Sequence, residues 1–292
     1  MTEDTAQSIA PGPRDLLELR RASSDRPGWF VDLVEPEIGG GRLEQARLTE
    51  LERRPDATAL RISGLDQATF EHLVAVHGSR LRAIEFWKCP RLTDLSPIED
   101  LPDLEIVSFF WNQRATRLWD LSKTPRLTGL RFDDFTRLHD LADLAGGRSL
   151  TELEFGDAVW RTSTFTSLEP LSALTGLVRL SIHPRRIDDA RVHPLGALVG
   201  LESLSLPTNL FSTEQLAWLR ARLPHTESRA LTAVVRLERP LQINGKSRDT
   251  LLVGRRKPLL SSELDAKRIA QHIRDFDASV ERFRQNPDLV PS

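Results

Sequence analysis

The chain has 292 residues, of which 39% are hydrophobic and 28% charged, and its formal net charge is -2. This composition is ordinary for a globular protein, and the balanced charge excludes a strong field that would attract nucleic acid or anionic lipid. The single cysteine, Cys89, excludes an intrachain disulfide. Only five of the 40 basic residues are lysine, a bias that indicates a GC-rich bacterial genome.

The first segment, residues 1–14, is polar and carries acidic residues. It lacks the apolar stretch of a signal peptide and the basic character of a transit peptide, so we expect a disordered tail. No apolar run in the chain approaches the roughly 20 residues that a membrane span requires. These features predict a cytoplasmic protein with no membrane partner.

Two short amphipathic helices are predicted next, over Asp15–Arg21 and Leu43–Arg53, with a glycine hinge at Gly39–Gly41 between them. Together they predict an N-terminal helical cap over residues 15–54. Such a cap is needed when the following region is a stack of repeats, because a terminal repeat exposes its core.

The pattern L-x-x-L-x-L occurs seven times between residues 57 and 206, at intervals of 23 to 27 residues. Further apolar positions recur six and nine residues before most of these copies. One short strand and one return segment per repeat, stacked side by side, would bury all of these positions in a single core. The seven copies are Ala57-Leu60-Ile62, Leu81-Ile84-Phe86, Leu104-Val107-Phe109, Leu127-Leu130-Phe132, Leu150-Leu153-Phe155, Leu177-Leu180-Ile182 and Leu201-Leu204-Leu206.

This repeat resembles that of bacterial leucine-rich-repeat proteins, and return segments such as residues 92–98 and 167–171 resemble the internalin type. The resemblance covers residues 55–225. It implies an α/β solenoid, a horseshoe with a parallel concave sheet of about seven strands. The resemblance also implies that the concave face binds a macromolecular partner. It does not imply a catalytic function.

The repeat departs from the family at the turn position that usually holds Asn or Cys. Such a side chain bonds to backbone groups of the turn, so we expect looser turns around residues 135–160 and 183–190. The residues at this position are Cys89, Asn112, Phe135, Ala158, Arg185 and Asn209.

A C-terminal module is predicted over residues 226–292, after a helix that begins at Ser212. Two β-like runs, Leu231–Leu237 and Thr250–Val253, flank a turn at Asn244-Gly245, and a final helix spans about 262–284. We expect this small α+β module to be a cap. The alternative is that it is functional, binding nucleic acid or serving as an enzyme-associated subunit that the solenoid presents.

Strand residues between the inward positions point out of the concave face. One such column suggests sideways ion pairs between neighbouring strands, Arg61 with Glu85 and Arg131 with Glu154. These pairs would give the four charges a structural role.

The next columns hold an aromatic group beside an acidic one, and they are the predicted partner-binding site. Exposed aromatics are enriched at binding hot spots, and carboxylates beside them suggest a protein partner that is basic and partly apolar. Alternatively, Trp87 and Trp111 pack on the N-terminal segment with Trp29 and Phe30. The site residues are Trp87, Phe110, Trp111, Asp133, Asp134, Glu152, Asp157 and Trp160, the last on a lip loop.

Other motifs do not predict chemistry. Gly245-Lys246-Ser247 lacks the first glycine of a phosphate loop, because Pro240 stands there. His183 and His193 have no metal-ligand spacing with nearby acids, and the paired carboxylates on an open face have no closed pocket to shift a pKa. We therefore expect a non-catalytic protein-recognition scaffold with no metal and no cofactor, and we do not expect nucleic acid as the partner.

Overall fold

The computed structural model of the chain describes residues 12–291. Most of the tail predicted as disordered, residues 1–11, lies outside this range. Five α-helices are present in the described residues, two of them in the predicted N-terminal cap. They are α1 (Leu16–Asp25), α2 (Thr49–Glu52), α3 (Gln67–His77), α4 (Thr213–Arg222) and α5 (Ala266–Gln285).

The architecture is a parallel sheet of eight strands, close to the seven predicted, and the eighth strand is the N-terminal β1. Its strands are β1 (Phe30–Leu33), β2 (Ala59–Ile62), β3 (Ala83–Trp87), β4 (Ile106–Asn112), β5 (Gly129–Phe135), β6 (Glu152–Gly156), β8 (Arg179–His183) and β10 (Ser203–Ser205). The two short strands β7 (Thr164–Phe165) and β9 (Arg186–Ile187) form a separate sheet.

The repeat positions pair in register across the large sheet. Leu60 lies beside Ile84, which lies beside Val107, and the same column continues through Leu130 and Leu153. These side chains are almost completely buried in one continuous core. A one-residue slip would turn the whole apolar set to the other face, so this pattern fixes the register.

The return segments are short 3₁₀ turns that close the core opposite the sheet. The first is an exception: it is the helix α3, which the sequence analysis did not predict. Asp66 caps this helix by accepting a hydrogen bond from the backbone N–H of Thr69 at 3.0 Å. The 3₁₀ turns are Ser96–Asp100, Leu121–Lys123, Ala142–Gly146, Glu169–Ala173 and His193–Ala197.

The turns after the strands are held by different contacts in different repeats. Asn112 fills its expected role, since its side-chain oxygen accepts from two backbone N–H groups and its amide donates to the carbonyl of Leu92. Phe135 instead turns into the core, where its ring packs edge-on against Phe109 at 5.6 Å. In the second region expected to be loose, residues 183–190, strand β9 pairs with β7, and Phe165 of β7 is buried.

The N-terminal segment forms only part of the predicted end cap. Strand β1 extends the sheet edge, and Leu48 and Leu51 of the following helical turns enter the main core. Helix α1 lies elsewhere, on the concave face. Its buried residues, Leu16, Leu19 and Ala22, form a second apolar cluster with outward-facing strand residues.

The C-terminal module continues the solenoid core. Its antiparallel sheet contains β11 (Val234–Ile243), β12 (Lys246–Leu252) and β13 (Leu259–Leu260), with the predicted hairpin turn between the first two. Phe276 and Val280 of α5 are buried in the same core as the repeats. The packing of α5 against α4 is reinforced by an ion pair between Arg282 and Glu214 at 2.5 Å.

Candidate functional site

Helix α1 divides the concave face into a covered and an open part. It lies over a floor of mostly small strand residues, Ala59, Ala83 and Ile106. The floor continues to Gly129, where an added Cβ would lie 3.4 Å from Cγ of Leu16. Because this floor is shallow and apolar, it accommodates a helix at close range, and a partner cannot reach it while α1 is in place.

Two polar contacts fix the N-terminal end of α1. The backbone N–H of Leu16 donates to the Glu152 carboxylate at 3.0 Å, and this bond is buried. One turn later, Arg20 pairs with Glu154 at 3.2 Å. Glu152 also forms an ion pair with Arg179 of the next strand. Glu152 was predicted to contact a partner, but the structure gives it the role of anchoring α1.

The sideways ion pairs predicted on the sheet are both present. Arg61 lies 3.3 Å from Glu85, and Arg131 lies 3.5 Å from Glu154. Burial raises the pKa of Glu85, although the positive charge of Arg61 opposes this shift. These charges neutralise one another on the floor of the concave face.

An aromatic group lies at the open edge where the strands end. Trp87 and Phe110 stack with ring centroids 4.4 Å apart, and the Arg61 guanidinium lies 4.3 Å from the Trp87 ring. Trp111 and Trp160 approach at 6.3 Å with their rings tilted. We call Trp87, Phe110, Trp111 and Trp160 the aromatic rim. The first three are half-buried, whereas Trp160 is 49% exposed.

The backbone turns that present these rings are left-handed. Successive repeats have positive φ at the same position, 70° at Gly64, 56° at Lys88, 65° at Trp111 and 56° at Asp134. Glycine adopts this conformation freely, but a bulky aromatic residue is rare there. Strain of this kind is found at binding sites, where the surrounding structure holds it in place.

The structure corrects the expectation that the aspartates form an exposed acidic patch. Asp134 is only 1% exposed, and its carboxylate accepts from the backbone N–H groups of Val159 and Trp160 at 3.0 to 3.2 Å. Asp157 accepts from the backbone N–H groups of Thr162 and Ser163. Both carboxylates thus hold the lip loop, residues 157–163, which carries Trp160 to the aromatic rim.

Asp133 corrects a second expectation, that no pKa is shifted on this face. It is buried beside Arg131, whose guanidinium lies 2.6 Å from its carboxylate. Burial raises the pKa of Asp133 to about 6, and the negative charge of Glu154 adds to the rise while Arg131 opposes it. The carboxylate therefore titrates near physiological pH as part of a buried network.

Trp29 and Phe30, the residues considered as packing partners of the tryptophans, lie in the cluster beneath α1. They contact each other edge-on at 6.2 Å. Lys88 instead lies near two of the three rim tryptophans, with Nζ 5.8 Å from the Trp87 ring and 5.9 Å from the Trp111 ring. Its ammonium also donates to the carbonyl of Ile38, which fixes its position.

The open part of the concave face lies over β6, β8 and β10. A groove of 430 Å³ runs here between α1 and the strands, with Ser181, Ser203 and Ser205 on its floor. Nε2 of His183 lies 2.9 Å from Oγ of Ser181 and 3.3 Å from Oγ of Ser205. Partial burial lowers the pKa of His183, which favours the neutral imidazole in this hydrogen-bonded group.

The chemistry of the other candidate groups is limited. Burial raises the pKa of Cys89 to about 12, so its thiol is not a nucleophile at neutral pH. Within residues 12–291, no group of three or more His, Cys, Asp or Glu side chains is arranged to hold a metal ion. In the same range, no helix combines the length and apolar character needed to cross a membrane.

No protein-family model and no curated protein matches the sequence. Among solved structures, TLR13 in its complex with ssRNA13 matches with a TM-score of 0.50 at 19% identity, over 63% of this chain and 26% of that chain. Together with the eight parallel strands in register, this similarity decides the fold. The chain has the leucine-rich-repeat fold.

Two bacterial structures also match, with lower TM-scores. An internalin C2 from Listeria monocytogenes is 20% identical over 64% of this chain and 73% of that chain, with a TM-score of 0.43. A leucine-rich-repeat protein of Leptospira interrogans is 14% identical over 80% of this chain and 60% of that chain, with a TM-score of 0.48. Three of the five 3₁₀ return turns of this leucine-rich-repeat solenoid have proline at one of the first two helical positions, namely Ser96–Asp100, Glu169–Ala173 and His193–Ala197.

Proposed function

We propose that this leucine-rich-repeat solenoid is a non-catalytic recognition scaffold that binds a protein partner at the aromatic rim of its concave face. One observation carries the proposal. Trp111 has a left-handed backbone conformation, and a loop tied down by Asp134 places Trp160 beside it. A half-buried and an exposed tryptophan held side by side in this way form a preorganised surface, and rigid aromatic residues are enriched at binding hot spots.

The location of α1 narrows the proposed site. The covered floor is occupied by the chain's own helix, so the partner contacts the rim and the open strands β6, β8 and β10. This is smaller than the whole concave face considered from the sequence. It still leaves a continuous surface from Trp87 across the lip loop to His183.

The proposal includes a cytoplasmic location in a bacterial cell, which the arginine-rich composition and single cysteine support. Fractionation of the native host, followed by immunodetection, tests this location. Nucleic acid is the competing class of partner, because TLR13 was solved with an RNA. The capture experiment therefore needs a nuclease-treated arm.

The test is affinity capture from host lysate with and without nuclease treatment, quantified by mass spectrometry. The binding variant is Trp111→Gly combined with Trp160→Ala, because glycine removes the ring while fitting the left-handed turn. The matched control is Val199→Ser, which changes an apolar residue that is 76% exposed in a return segment. We expect wild type and control to enrich the same proteins, and the binding variant to lose them.

Circular dichroism and the melting temperature establish that all three proteins are folded. Equal enrichment by the binding variant and wild type contradicts the proposal. Loss of every enriched protein after nuclease treatment contradicts it too, because the partner would then be a nucleic acid or a protein bridged by one.

A further inference from the structure

An arginine recurs in the turn after each strand of five successive repeats. Of these five arginines, the first three are 23 residues apart, in step with the repeats, whereas the fourth lies one residue later and the fifth two residues earlier than the equivalent position. The five residues are Arg91, Arg114, Arg137, Arg161 and Arg185. Since neighbouring parallel strands lie about 4.8 Å apart, the equivalent positions of Arg91, Arg114 and Arg137 form a row along the edge of the sheet. Arg161 and Arg185, in the next two turns, line one groove.

The first arginine differs from the other four. The Arg91 guanidinium donates to the carbonyls of Gly41 and Gly64, so it holds the N-terminal cap to the first turns. The side chains of the other four are exposed. Across residues 12–291, none of these four guanidiniums has a hydrogen bond or an ion pair. We call Arg114, Arg137, Arg161 and Arg185 the arginine row.

The carboxylates nearest to the arginine row are already engaged. Asp133 pairs with Arg131, while Asp134 and Asp157 accept bonds from backbone N–H groups of the lip loop. Asp157, Arg161 and Arg185 line the same groove of 520 Å³. The arginine row therefore contributes unpaired positive charge at this edge, although the nearby sequence is rich in aspartate.

The arginine row adjoins the aromatic rim. Arg114 follows Trp111 by three residues, and Arg161 follows Trp160 directly. We infer that the partner bound at the aromatic rim presents an acidic peptide segment, whose carboxylates pair with the arginine row while its apolar residues contact Trp111 and Trp160. This inference rests on the proposed function, and it reverses the basic partner expected from the sequence.

Physical arguments favour a carboxylate-bearing peptide over single-stranded nucleic acid. Proteins that bind single strands stack bases on open aromatic faces. Here Trp87 and Phe110 stack on each other, and Arg61 covers Trp87. Arginine and tryptophan side by side are instead the residues enriched at protein hot spots.

The inference is tested on the full-length protein with two labelled probes of equal formal charge, a polyglutamate peptide and an oligouridine. Binding is followed by fluorescence anisotropy at low ionic strength, where steering by surface charge is strongest. The row variant combines Arg137→Glu, Arg161→Glu and Arg185→Glu. The control variant has the same net charge and reverses three exposed arginines elsewhere, Arg53, Arg148 and Arg268.

We expect polyglutamate affinity to fall at least about tenfold in the row variant and to fall less in the control variant. Host proteins captured by wild type should also be lost by the row variant and kept by the control. Equal loss in the two variants overturns the inference, as does tighter binding of oligouridine than of polyglutamate through the same arginines. If the tryptophan variant loses its captured proteins while the row variant keeps them, the scaffold function stands and the acidic partner is rejected.

Discussion

The Asp134 carboxylate accepts a hydrogen bond from the backbone N–H of Trp160 at 3.0 Å, across the boundary between two repeats. The side chain of one turn thereby fixes the loop of the next repeat. That loop carries the most exposed ring of the aromatic rim to within 6.3 Å of Trp111. Asp134, which the sequence suggested as a partner contact, thus holds the loop that carries Trp160, a residue of the proposed site.

Removing this support should loosen the lip loop. Asp134→Ala deletes bonds to two backbone N–H groups and leaves alanine in a left-handed turn, so we expect a loss of about 1–3 kcal/mol in the free energy of unfolding. Hydrogen exchange at Val159 and Trp160 should accelerate. Asp134→Asn keeps one acceptor oxygen, and asparagine tolerates the left-handed turn. Its stability and its exchange rates should therefore lie between those of wild type and Asp134→Ala. Unchanged exchange in the alanine variant would show that the loop is held by other contacts.

The placement of α1 on the concave face predicts that substitution of one leucine of this helix undocks it and substitution of another does not. Leu19 is fully buried against the floor, whereas Leu17 is 48% exposed. Leu19→Asp should undock α1, because an unpaired carboxylate on an apolar floor is strongly unfavourable. Limited proteolysis would then cut within residues 16–29 while the rest of the solenoid stays resistant. Leu17→Asp should leave the digestion pattern unchanged, and similar cleavage of both variants would contradict this placement.

The raised pKa of Asp133 predicts a pH-dependent stability. The folded protein binds this proton more tightly than the unfolded chain, whose aspartate has a pKa of 3.8. This contribution therefore increases stability as the pH falls from about 7 toward about 4, by at most about 3 kcal/mol, and is lost as the pH rises through about 6. Denaturant unfolding across this range should show a larger gain in wild type than in Asp133→Asn, which keeps only the contribution of other groups such as Glu85.

The control for this experiment is Asp103→Asn, which alters an exposed carboxylate paired with Arg126. Its free energy of unfolding should change with pH in the same way as that of wild type. If the Asp133→Asn curve is also parallel to wild type, Asp133 does not titrate in this range.

Placing asparagine, the usual turn residue of leucine-rich repeats, at position 135 should lower the free energy of unfolding. Phe135 packs edge-on against Phe109 and Phe132 in the core. Phe135→Asn leaves a cavity there, so we expect a loss of at least about 2 kcal/mol in the free energy of unfolding, whereas Phe135→Leu should lose less. Denaturant titration measures both. An asparagine variant as stable as wild type would mean that the turn bonds compensate for the lost ring contacts.

The strands and their register could be predicted because the repeat specifies them directly. Leu60, Ile84 and Val107 each recur at a fixed offset, and a buried face tolerates no other pairing. The ion pairs of Arg61 with Glu85 and of Arg131 with Glu154 could be predicted from the same register. The eighth strand, Phe30–Leu33, and the helix Gln67–His77 lie outside the repeated pattern, so the pattern could not predict them.

The binding surface was harder to predict, because a column assigns a residue to a face without showing what covers it. Asp133 and Asp134 are in the predicted columns, yet one lies beside Arg131 and the other beneath the lip loop. A signal for α1 was present: Ala59, Ala83 and Gly129 in one outward column are unusually small for a solvated sheet. It indicates a close-packed element but not which segment supplies it.

The most direct test of the central claim is photo-crosslinking in the native host, with benzoylphenylalanine introduced in place of Trp160 or, separately, in place of Val199. Trp160 belongs to the aromatic rim, whereas Val199 is exposed in a return segment. We predict a discrete protein adduct from the Trp160 site that resists nuclease, and none from the Val199 site. An adduct from the Val199 site with none from the Trp160 site would contradict partner binding at the aromatic rim.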